Sequence, residues 1–280
     1  MSDPGLRSFI LNALAEDTGS GDHSSIASIT PSVTGRARLL VKESGIIAGL
    51  GIAREIFSIT DPSLETVLLL KDGNSVKQGD IALTVAGSVH SILRAERLVL
   101  NVMQRMSGIA TATATYVERV SGTRAHITDT RKTTPGMRAL EKEAVRLGGG
   151  VNHRMGLYDM IMLKDNHIDY AGGITAAVKR TQEYLIRQNL PLRIEVESRN
   201  LDEVREILAV GGVDRIMLDN FDIPSTRAAV ELIGGRAETE SSGGITLANV
   251  REYALCGVDY ISIGALTHHI KSLDMSLKAY

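Results

Sequence analysis

The stretch Asp129–Ile168, DTRKTTPGMRALEKEAVRLGGGVNHRMGLYDMIMLKDNHI, carries most of the information about fold and function. Seven Lys or Arg and only three Asp or Glu lie between Arg131 and Lys164, in a chain whose formal net charge is -2. Five basic residues stand at predicted element ends rather than along a helix face: Arg131, Lys132, His153, Arg154 and Lys164. Cations gathered on loops in this way suit a ligand that carries several negative charges.

The same stretch predicts a helix and a strand. Thr134 and Pro135 read as N-cap and first helical residue, and helical spacing of apolar residues continues to Leu147 before three glycines. Four charged residues of this helix are expected on a solvated face: Arg138, Glu141, Lys142 and Arg146. The apolar run 160–163 then predicts a short strand that ends at Lys164.

Composition excludes several classes of protein. With 280 residues the chain can form one large domain, or one medium and one small, and 43% hydrophobic residues allow a sizeable core. Aromatic residues make up 4% and Trp is absent, which argues against base-stacking surfaces for single-stranded nucleic acid. The near-neutral charge argues against a nucleic-acid or membrane-surface protein.

The cysteine count and the N-terminus indicate a reducing compartment. Cys256 is the only cysteine, so neither an intrachain disulfide nor a thiolate metal cluster can form. The first residues lack the basic start and apolar core of a signal peptide, and no apolar run approaches membrane-spanning length. We therefore expect a cytoplasmic protein.

The first hundred residues predict a mixture of helices and antiparallel strands. Helical periodicity covers 6–15 and 52–59, and apolar alternation from 36 to 41 predicts a half-buried strand. Strands at 67–70 and 81–85 complete an antiparallel sheet. A helix follows over 91–106, and Ser107 and Gly108 are expected to break it before a second helix at 110–120, which places a domain boundary near residue 108.

After Gly122 strands alternate regularly with helices. The predicted strands are 126–129, 160–164, 193–197, 215–219, 237–241 and 260–264; the predicted helices are 135–147, 174–187, 201–209, 224–233 and 247–256. Strand alternating with helix indicates parallel strands, and six units favour an α/β barrel. An open doubly wound sheet is the alternative, but no GxGxxG turn follows a strand.

Polar or glycine residues end every predicted barrel strand, where barrel enzymes carry their sites. Glu195 and Glu197 share one strand face, Asp219 ends the next strand, and Gly-rich turns end the last two. Gly-rich turns opening helices commonly hold phosphate through backbone N–H groups, and carboxylates beside a phosphate suit Mg²⁺. The strand ends thus predict a site for a phosphorylated, anionic substrate.

Several stretches resemble quinolinate phosphoribosyltransferases, also called nicotinate-nucleotide pyrophosphorylases. The matching pieces are collinear: ERLVLNVMQRMSGIAT, DTRKTTPGMRALEKEAVRLGGGVNHRMGL, MLKDNHI, IEVES, IMLDNF, SSGGIT and GVDYISIGALTH. The DTRKTTPG, GGGVNHR and KDNH series is highly specific, and the resemblance covers nearly the whole chain. One departure is His23-Ser24-Ser25, where the family tends to show an apolar residue followed by Thr.

The resemblance implies the fold of a type II phosphoribosyltransferase. It implies an N-terminal open-faced α/β sandwich over 1–108, joined by the returning C-terminal segment 269–280, and an incomplete TIM-like α/β barrel over 109–268. It also implies a homodimer or a hexamer of dimers. In that assembly Arg97, which the residue pattern alone reads as half of an intrahelical charge pair with Glu96, would reach the neighbouring subunit's substrate.

The resemblance also implies the reaction: Mg²⁺-dependent transfer of phosphoribosyl from phosphoribosyl pyrophosphate to quinolinate, with decarboxylation to nicotinate mononucleotide, a precursor of NAD. Lys164, Glu195 and Asp219 would be catalytic, with Glu195 and Asp219 beside the magnesium. The implied substrate-binding residues are Arg97, Thr130, Arg131, Lys132, His153, Arg154, Lys164, Glu195 and Asp219. The implied phosphate-binding residues are Ser242, Gly243, Gly244 and Gly264.

Two other classes of function stay open at this point. Another barrel enzyme is one, either a Schiff-base aldolase that uses Lys164 or a related phosphoribosyltransferase with a different acidic acceptor. A non-catalytic phosphosugar-binding protein is the other. No output or DNA-binding segment is evident in the sequence, which weighs against the latter.

Overall fold

The structure is a computed structural model that describes residues 4–280, and it divides into two compact units. Unit 1 comprises 4–114, Thr134–Gly149 and His269–Tyr280. Unit 2 comprises Thr115–Thr133 and Gly150–His268. The short segment Thr134–Gly149 therefore groups with the N-terminal part of the chain, although it lies inside the predicted barrel range.

The strands are β1 (Thr34–Val41), β2 (Gly45–Ile46), β3 (Glu65–Leu68), β4 (Ser75–Val76), β5 (Ile81–Ser88), β6 (His126–Thr128), β7 (Ile161–Leu163), β8 (Ile194–Ser198), β9 (Arg215–Asp219), β10 (Glu238–Ser242), β11 (Tyr260–Ser262) and β12 (Met275–Ala279). The helices are α1 (Pro4–Thr18), α2 (His23–Ser28), α3 (Leu50–Thr60), α4 (Val89–Arg119), α5 (Arg138–Leu147), α6 (Asp165–Ala171), α7 (Ile174–Gln188), α8 (Leu201–Val210), α9 (Ile223–Ile233), α10 (Val250–Leu255) and α11 (Ala265–His268).

Unit 1 is built on an antiparallel sheet of order β12-β1-β5-β3. Along β1 the side chains of Ala37, Leu39 and Val41 are buried while Arg36 and Arg38 are not, so the predicted alternation is confirmed. The C-terminal strand β12 pairs with β1. Helices α1 and α3 pack against each other, and α3 also contacts β3.

The predicted helix break at Ser107 and Gly108 is wrong, because α4 runs without interruption through both residues. Both serve tertiary contacts instead. The Ser107 hydroxyl accepts from the backbone N–H of Ala48 at 2.9 Å. A Cβ on Gly108 would lie 2.3 Å from the carbonyl oxygen of Lys271, so glycine permits a close backbone approach here. A single glycine costs a helix only about 1 kcal/mol, which packing can offset.

The predicted start of α5 at Pro135, with Thr134 as N-cap, is also wrong. Residues 134–137 form a turn in which Met137 N–H donates to the Thr134 carbonyl at 3.0 Å. Pro135 precedes Gly136, whose φ of +80° is the glycine position of a type II turn, so the helix begins only at Arg138. The predicted stop after Leu147 is confirmed by Gly148 at the C-cap.

The solvated face expected for α5 is wrong in part. Glu141 and Lys142 are both fully buried, whereas Arg146 is exposed. Arg105 Nη2 lies 2.7 Å from Glu141 Oε1, and Glu141 also accepts from the Thr134 N–H at 3.2 Å. The sequence predicts exposure for Glu141 because it lies outside the apolar positions of the helix. The ion pair with Arg105 instead holds its carboxylate inside unit 1.

Unit 2 is an incomplete α/β barrel, as expected. Its six parallel strands lie in the order β6-β11-β10-β9-β8-β7. From β7 to β11 the order follows the sequence with no reversal, which excludes a doubly wound sheet. Within the described residues the edge strands β6 and β7 do not pair with each other, so the barrel does not close.

Two compositional expectations can be compared with the structure. Among residues 4–280 no helix combines the length and apolar character needed to cross a membrane. Cys256, the only cysteine of the chain, is a buried free thiol whose Sγ donates to the carbonyl of Glu252 at 3.3 Å.

Candidate active site

Strand register sorts the inward-facing residues of the barrel into layers. Glu195 on β8 is in register with Arg215 on β9, and Arg215 is in register with Glu238 on β10. One layer higher lie Glu197, Met217 and Glu240, followed by Asp219 and Ser242 at the carboxyl ends. Since side chains two positions apart share a strand face, these layers place charged groups on one face of the sheet.

A cavity of about 570 Å³ opens at the carboxyl ends of the strands. Eleven of the thirteen predicted site residues line it: Thr130, Arg131, Lys132, His153, Arg154, Lys164, Asp219, Ser242, Gly243, Gly244 and Gly264. The other two, Glu195 and Arg97, do not. The cavity therefore brings together cations, a carboxylate and Gly-rich turns that are far apart in the sequence.

Arg131 and Arg154 form the most desolvated cationic part of this cavity. Their Nε groups are both buried, and neither has a hydrogen-bond partner among the described residues. Burial and then the nearby Arg131 charge lower the pKa of Arg154. Two guanidinium groups that repel each other and retain unused buried donors are arranged for an anionic ligand.

The loop before β7 holds His153 in a defined orientation. The backbone N–H of His153 donates to Asp129 Oδ1 at 3.0 Å. The ring nitrogen Nδ1 of His153 accepts from the backbone N–H of Arg154 at 2.8 Å. An accepting Nδ1 places the ring proton on Nε2. That nitrogen lies 2.9 Å from Glu195 Oε2 and 3.6 Å from Glu240 Oε2.

Glu195 and Glu240 are buried carboxyl groups with unusually high proton affinity. Burial raises the pKa of Glu195 to about 7, against the opposing effect of Arg215. Burial also raises the pKa of Glu240 to about 7, and the Glu195 charge acts in the same direction. Arg215 Nη1 donates to Glu240 Oε2 at 2.8 Å. Glu195 and Glu240 lie in one buried cluster with His153 and Arg215, and the two carboxyl groups of that cluster take up protons near neutral pH.

Glu240 was missed by sequence reasoning, although it lines the cavity. Its strand was predicted, but only its terminal Ser and Gly residues were singled out. A signal existed, because a glutamate in the middle of a buried parallel strand is rare unless paired. Thr246 and His268 also line the cavity and were not predicted, and Asn220 was noted only as a polar residue at its strand end, without a role.

Lys164 is paired rather than isolated. Its ammonium lies 3.2 Å from Glu197 Oε2, and its side chain is 46% exposed. Burial raises the pKa of Glu197, and the Lys164 charge opposes that rise. The pair places an exposed cation over the cavity beside Asp219, an arrangement that suits binding of an anion rather than Schiff-base chemistry by a desolvated amine.

The glycines after β10 and β11 form another part of the cavity wall. Gly243 and Gly244 have φ of +94° and +60°, and a Cβ on Gly244 would meet no atom within 4 Å. Near Gly264 the side chain of Lys132 approaches a Cβ position to 3.2 Å. Open glycine backbone beside a lysine suits a phosphate group.

The two predicted site residues that do not line the cavity, Glu195 and Arg97, differ in burial and lie in different units. Glu195 is fully buried, in contact with His153 below the cavity wall. Arg97 lies exposed on α4 in unit 1. Glu195 can therefore act on a ligand only through its neighbours, and Arg97 is accessible on its own unit.

An α/β barrel whose strand ends hold a cationic pocket, a carboxylate and glycine-rich phosphate turns belongs to the class of enzymes that act on phosphorylated, anionic substrates. Comparison with known proteins narrows this class. The family model described as "Quinolinate phosphoribosyl transferase, C-terminal domain" matches residues 109–278, and the model of the corresponding N-terminal domain matches residues 22–107. The chain belongs to the quinolinate phosphoribosyltransferase family.

Individual relatives agree with this assignment. The chloroplastic nicotinate-nucleotide pyrophosphorylase [carboxylating] of Arabidopsis thaliana is 48% identical over 98% of this chain and 82% of its own length. A probable enzyme of the same name from Synechocystis is 45% identical over 99% of this chain and 92% of its own. The crystal structure of NadC from Streptococcus pyogenes superposes with a TM-score of 0.93 at 39% identity, covering 100% and 99% of the two chains.

Proposed function

We propose that the chain transfers phosphoribosyl from phosphoribosyl pyrophosphate to quinolinate, releases carbon dioxide and pyrophosphate, and so makes nicotinate mononucleotide for NAD synthesis. The observation that carries this proposal is one cavity whose wall combines two arginines with buried, unpartnered Nε groups, a carboxylate and Gly-rich turns. The family of the chain supports the same reaction.

The acceptor would bind through its two carboxylates. Arg131 and Arg154 offer buried donors with no protein partner, and Lys164 adds an exposed ammonium. Charge-assisted hydrogen bonds to both carboxylates would fix the pyridine ring and aim its nitrogen at the ribose carbon. A monocarboxylate would leave part of this cationic wall unpaired, which gives the pocket its preference for a dicarboxylate.

The donor would lie between Asp219 and the turns at Ser242–Gly244 and Gly264. Backbone N–H groups there would bind the 5′-phosphate. Magnesium fits this side of the cavity, because Asp219 is a partly exposed carboxylate on the cavity wall and the pyrophosphate supplies further oxygen ligands. Glu195 would act on the metal only indirectly, since it is fully buried among cations.

The chemistry follows from this arrangement. When bound, magnesium supplies positive charge that stabilises the departing pyrophosphate. As the bond from the ribose carbon to the pyrophosphate oxygen breaks, positive charge grows on the ribose, and Asp219 and the Glu195 cluster stabilise it electrostatically. The pyridine nitrogen then bonds to that carbon. The resulting pyridinium accepts the electron pair left when the adjacent carboxylate departs as carbon dioxide, and a proton replaces the lost carboxylate.

The proposal includes the assembly and its surroundings. We propose a homodimer, alone or within a hexamer, in which Arg97 of one subunit binds substrate in the other. An exposed arginine on a long helix is available for that role. A cytoplasmic location is proposed with it.

Product formation tests the function directly. Quinolinate and phosphoribosyl pyrophosphate are supplied with and without magnesium, and nicotinate serves as the parallel acceptor. Magnesium-dependent nicotinate mononucleotide and carbon dioxide from quinolinate alone are expected. Turnover of nicotinate instead would overturn the dicarboxylate pocket, and tight binding of the donor without turnover would favour a phosphosugar-binding protein. A Lys164→Ala variant with near-normal turnover would remove Lys164 from the mechanism.

A further inference from the structure

Asn220 follows β9 in a backbone conformation that few residues adopt. Its φ is +55°, and the only other non-glycine residue with positive φ in the described part of the chain is Asn189. Asn189 closes helix α7 at its C-cap, where a left-handed residue is common. Asn220 ends no helix and lies in the cavity wall. Sparsely populated backbone at a functional site is held there by its contacts.

The side chain of Asn220 contacts the proposed catalytic acid. Its Nδ2 donates to Asp219 Oδ2 at 2.6 Å. The orientation of the amide follows from chemistry, because an ionised carboxylate only accepts hydrogen bonds and must face the NH₂ group. Asn220 therefore restricts the rotation of the Asp219 carboxylate.

The rest of Asn220 contacts the phosphate turn. Its backbone N–H donates to the Ser242 carbonyl at 2.8 Å. A Cβ on Gly243 would lie 2.1 Å from Asn220 Oδ1 and 2.6 Å from Cγ, so the Gly243 backbone packs directly on the amide. The same amide thus touches the carboxylate on one side and the glycine turn on the other.

We propose that Asn220 is a positioning residue that sets the Asp219 carboxylate and the Gly243 turn in fixed relation, and so governs use of the phosphoribosyl donor rather than the acceptor. This inference rests on the proposed function, which assigns both neighbours to the donor. It explains why a residue without charge holds a strained conformation between two strand ends. The acceptor groups Arg131 and Arg154 have no contact with Asn220 in the hydrogen-bond network of residues 4–280.

Asn220→Gly is the informative substitution, because glycine keeps the left-handed backbone and removes only the amide. Asn189→Gly is the matched control, since it makes the same change at an exposed helix end outside the cavity. We expect both variants to keep the wild-type melting temperature within a few degrees. Asn220→Gly should lose about tenfold in kcat/KM for phosphoribosyl pyrophosphate, the loss expected for one hydrogen bond to a charged group.

Two further readouts separate positioning from general damage. The magnesium concentration for half-maximal rate should rise in Asn220→Gly, while the KM for quinolinate stays at the wild-type value. An equal loss in both substrates, or donor kinetics like those of Asn189→Gly, would overturn the proposal. Failure of wild-type turnover would instead reject the proposed function, and calorimetric titration with phosphoribosyl pyrophosphate would still compare the two glycine variants.

A double-mutant cycle tests the contact itself without any activity. Gly243→Ala adds a methyl group where Asn220 Oδ1 lies, in addition to straining a backbone with φ of +94°. In the Asn220→Gly background the collision with the amide is absent and only the backbone nitrogen of residue 220, at 3.0 Å, stays close, so Gly243→Ala should lower the melting temperature less than it does alone. Additive effects would show that the amide does not pack on the turn and would overturn the proposal.

Discussion

At the residue scale, burial changes the pKa of two carboxyl groups, those of Glu195 and Glu240. Each is fully buried, and each has a pKa raised to about 7. In the unfolded chain both carboxyl groups ionise near their ordinary pKa. The folded state therefore holds more protons than the unfolded state over the interval from about pH 4.5 to 7. Stability is therefore lost as pH rises through that interval and the loss is complete above it.

Replacing Glu240 with Gln should reduce this loss. The isosteric amide cannot ionise, so the fall in unfolding free energy between pH 5 and pH 8 should shrink by about 1–3 kcal/mol. Denaturant unfolding at the two pH values measures the difference. The control is Glu231→Gln on the exposed surface of α9, which should leave the pH dependence unchanged. An unchanged slope in Glu240→Gln would mean that Glu240 is ionised throughout.

Arg154 gives a second prediction at this scale. Lysine keeps the charge but loses the planar fork of donors, so Arg154→Lys should raise the KM for quinolinate about 10- to 100-fold. The KM for the donor should change little. Arg146→Lys, on an exposed arginine paired with Glu143 at 2.8 Å, is the matched control and should behave as wild type. Equal rises in both KM values would remove Arg154 from the acceptor site.

At the scale of elements, Gly108 in α4 is an exception to the rule that alanine stabilises a helix interior more than glycine does. Helix propensity alone favours Gly108→Ala by about 1 kcal/mol. The added methyl would lie 2.3 Å from the Lys271 carbonyl oxygen and 3.0 Å from Ser272 Cα, so we expect a loss of about 1–3 kcal/mol instead. Gly51→Ala in α3 is the control, because its nearest neighbour would be an Asp72 oxygen at 3.9 Å. Unfolding free energies should fall for the first variant and hold or rise for the second.

The elements also show what periodicity can and cannot predict. The barrel strands were predictable because apolar runs end abruptly in polar or glycine residues, and β9 has the predicted bounds. The start of α5 was not, because a turn at Pro135 and Gly136 uses the same residue types as a helix N-terminus. Burial of Glu141 was equally invisible, since its pairing partner Arg105 is distant in sequence. Local signals fix elements, whereas burial of charge depends on the tertiary fold.

The candidate site, like the secondary-structure elements, could be predicted in part from the sequence. Strand ends identified most of the cavity lining, because parallel strands bring their carboxyl ends together. Glu240 escaped notice because its role depends on register with Met217 and on contact with Arg215, neither of which a single strand reveals. Asn220 was recognised only as a polar residue at a strand end, and its role could not be predicted, because its backbone conformation has no mark in the sequence beyond the residue type.

At the scale of the whole molecule, the role proposed for Arg97 across a subunit interface can be tested by mixing two inactive variants. Arg97→Ala and Asp219→Asn should each abolish most activity. If the arginine acts across a dimer, a hybrid of the two variants contains one site with both groups intact and one with neither. Random exchange of subunits in an equal mixture should then restore about a quarter of the wild-type rate. If Arg97 acts within its own subunit, every site in the mixture lacks one group and no activity returns. Each variant carried through the same exchange alone is the control, and steady-state rates before and after mixing decide between the two outcomes.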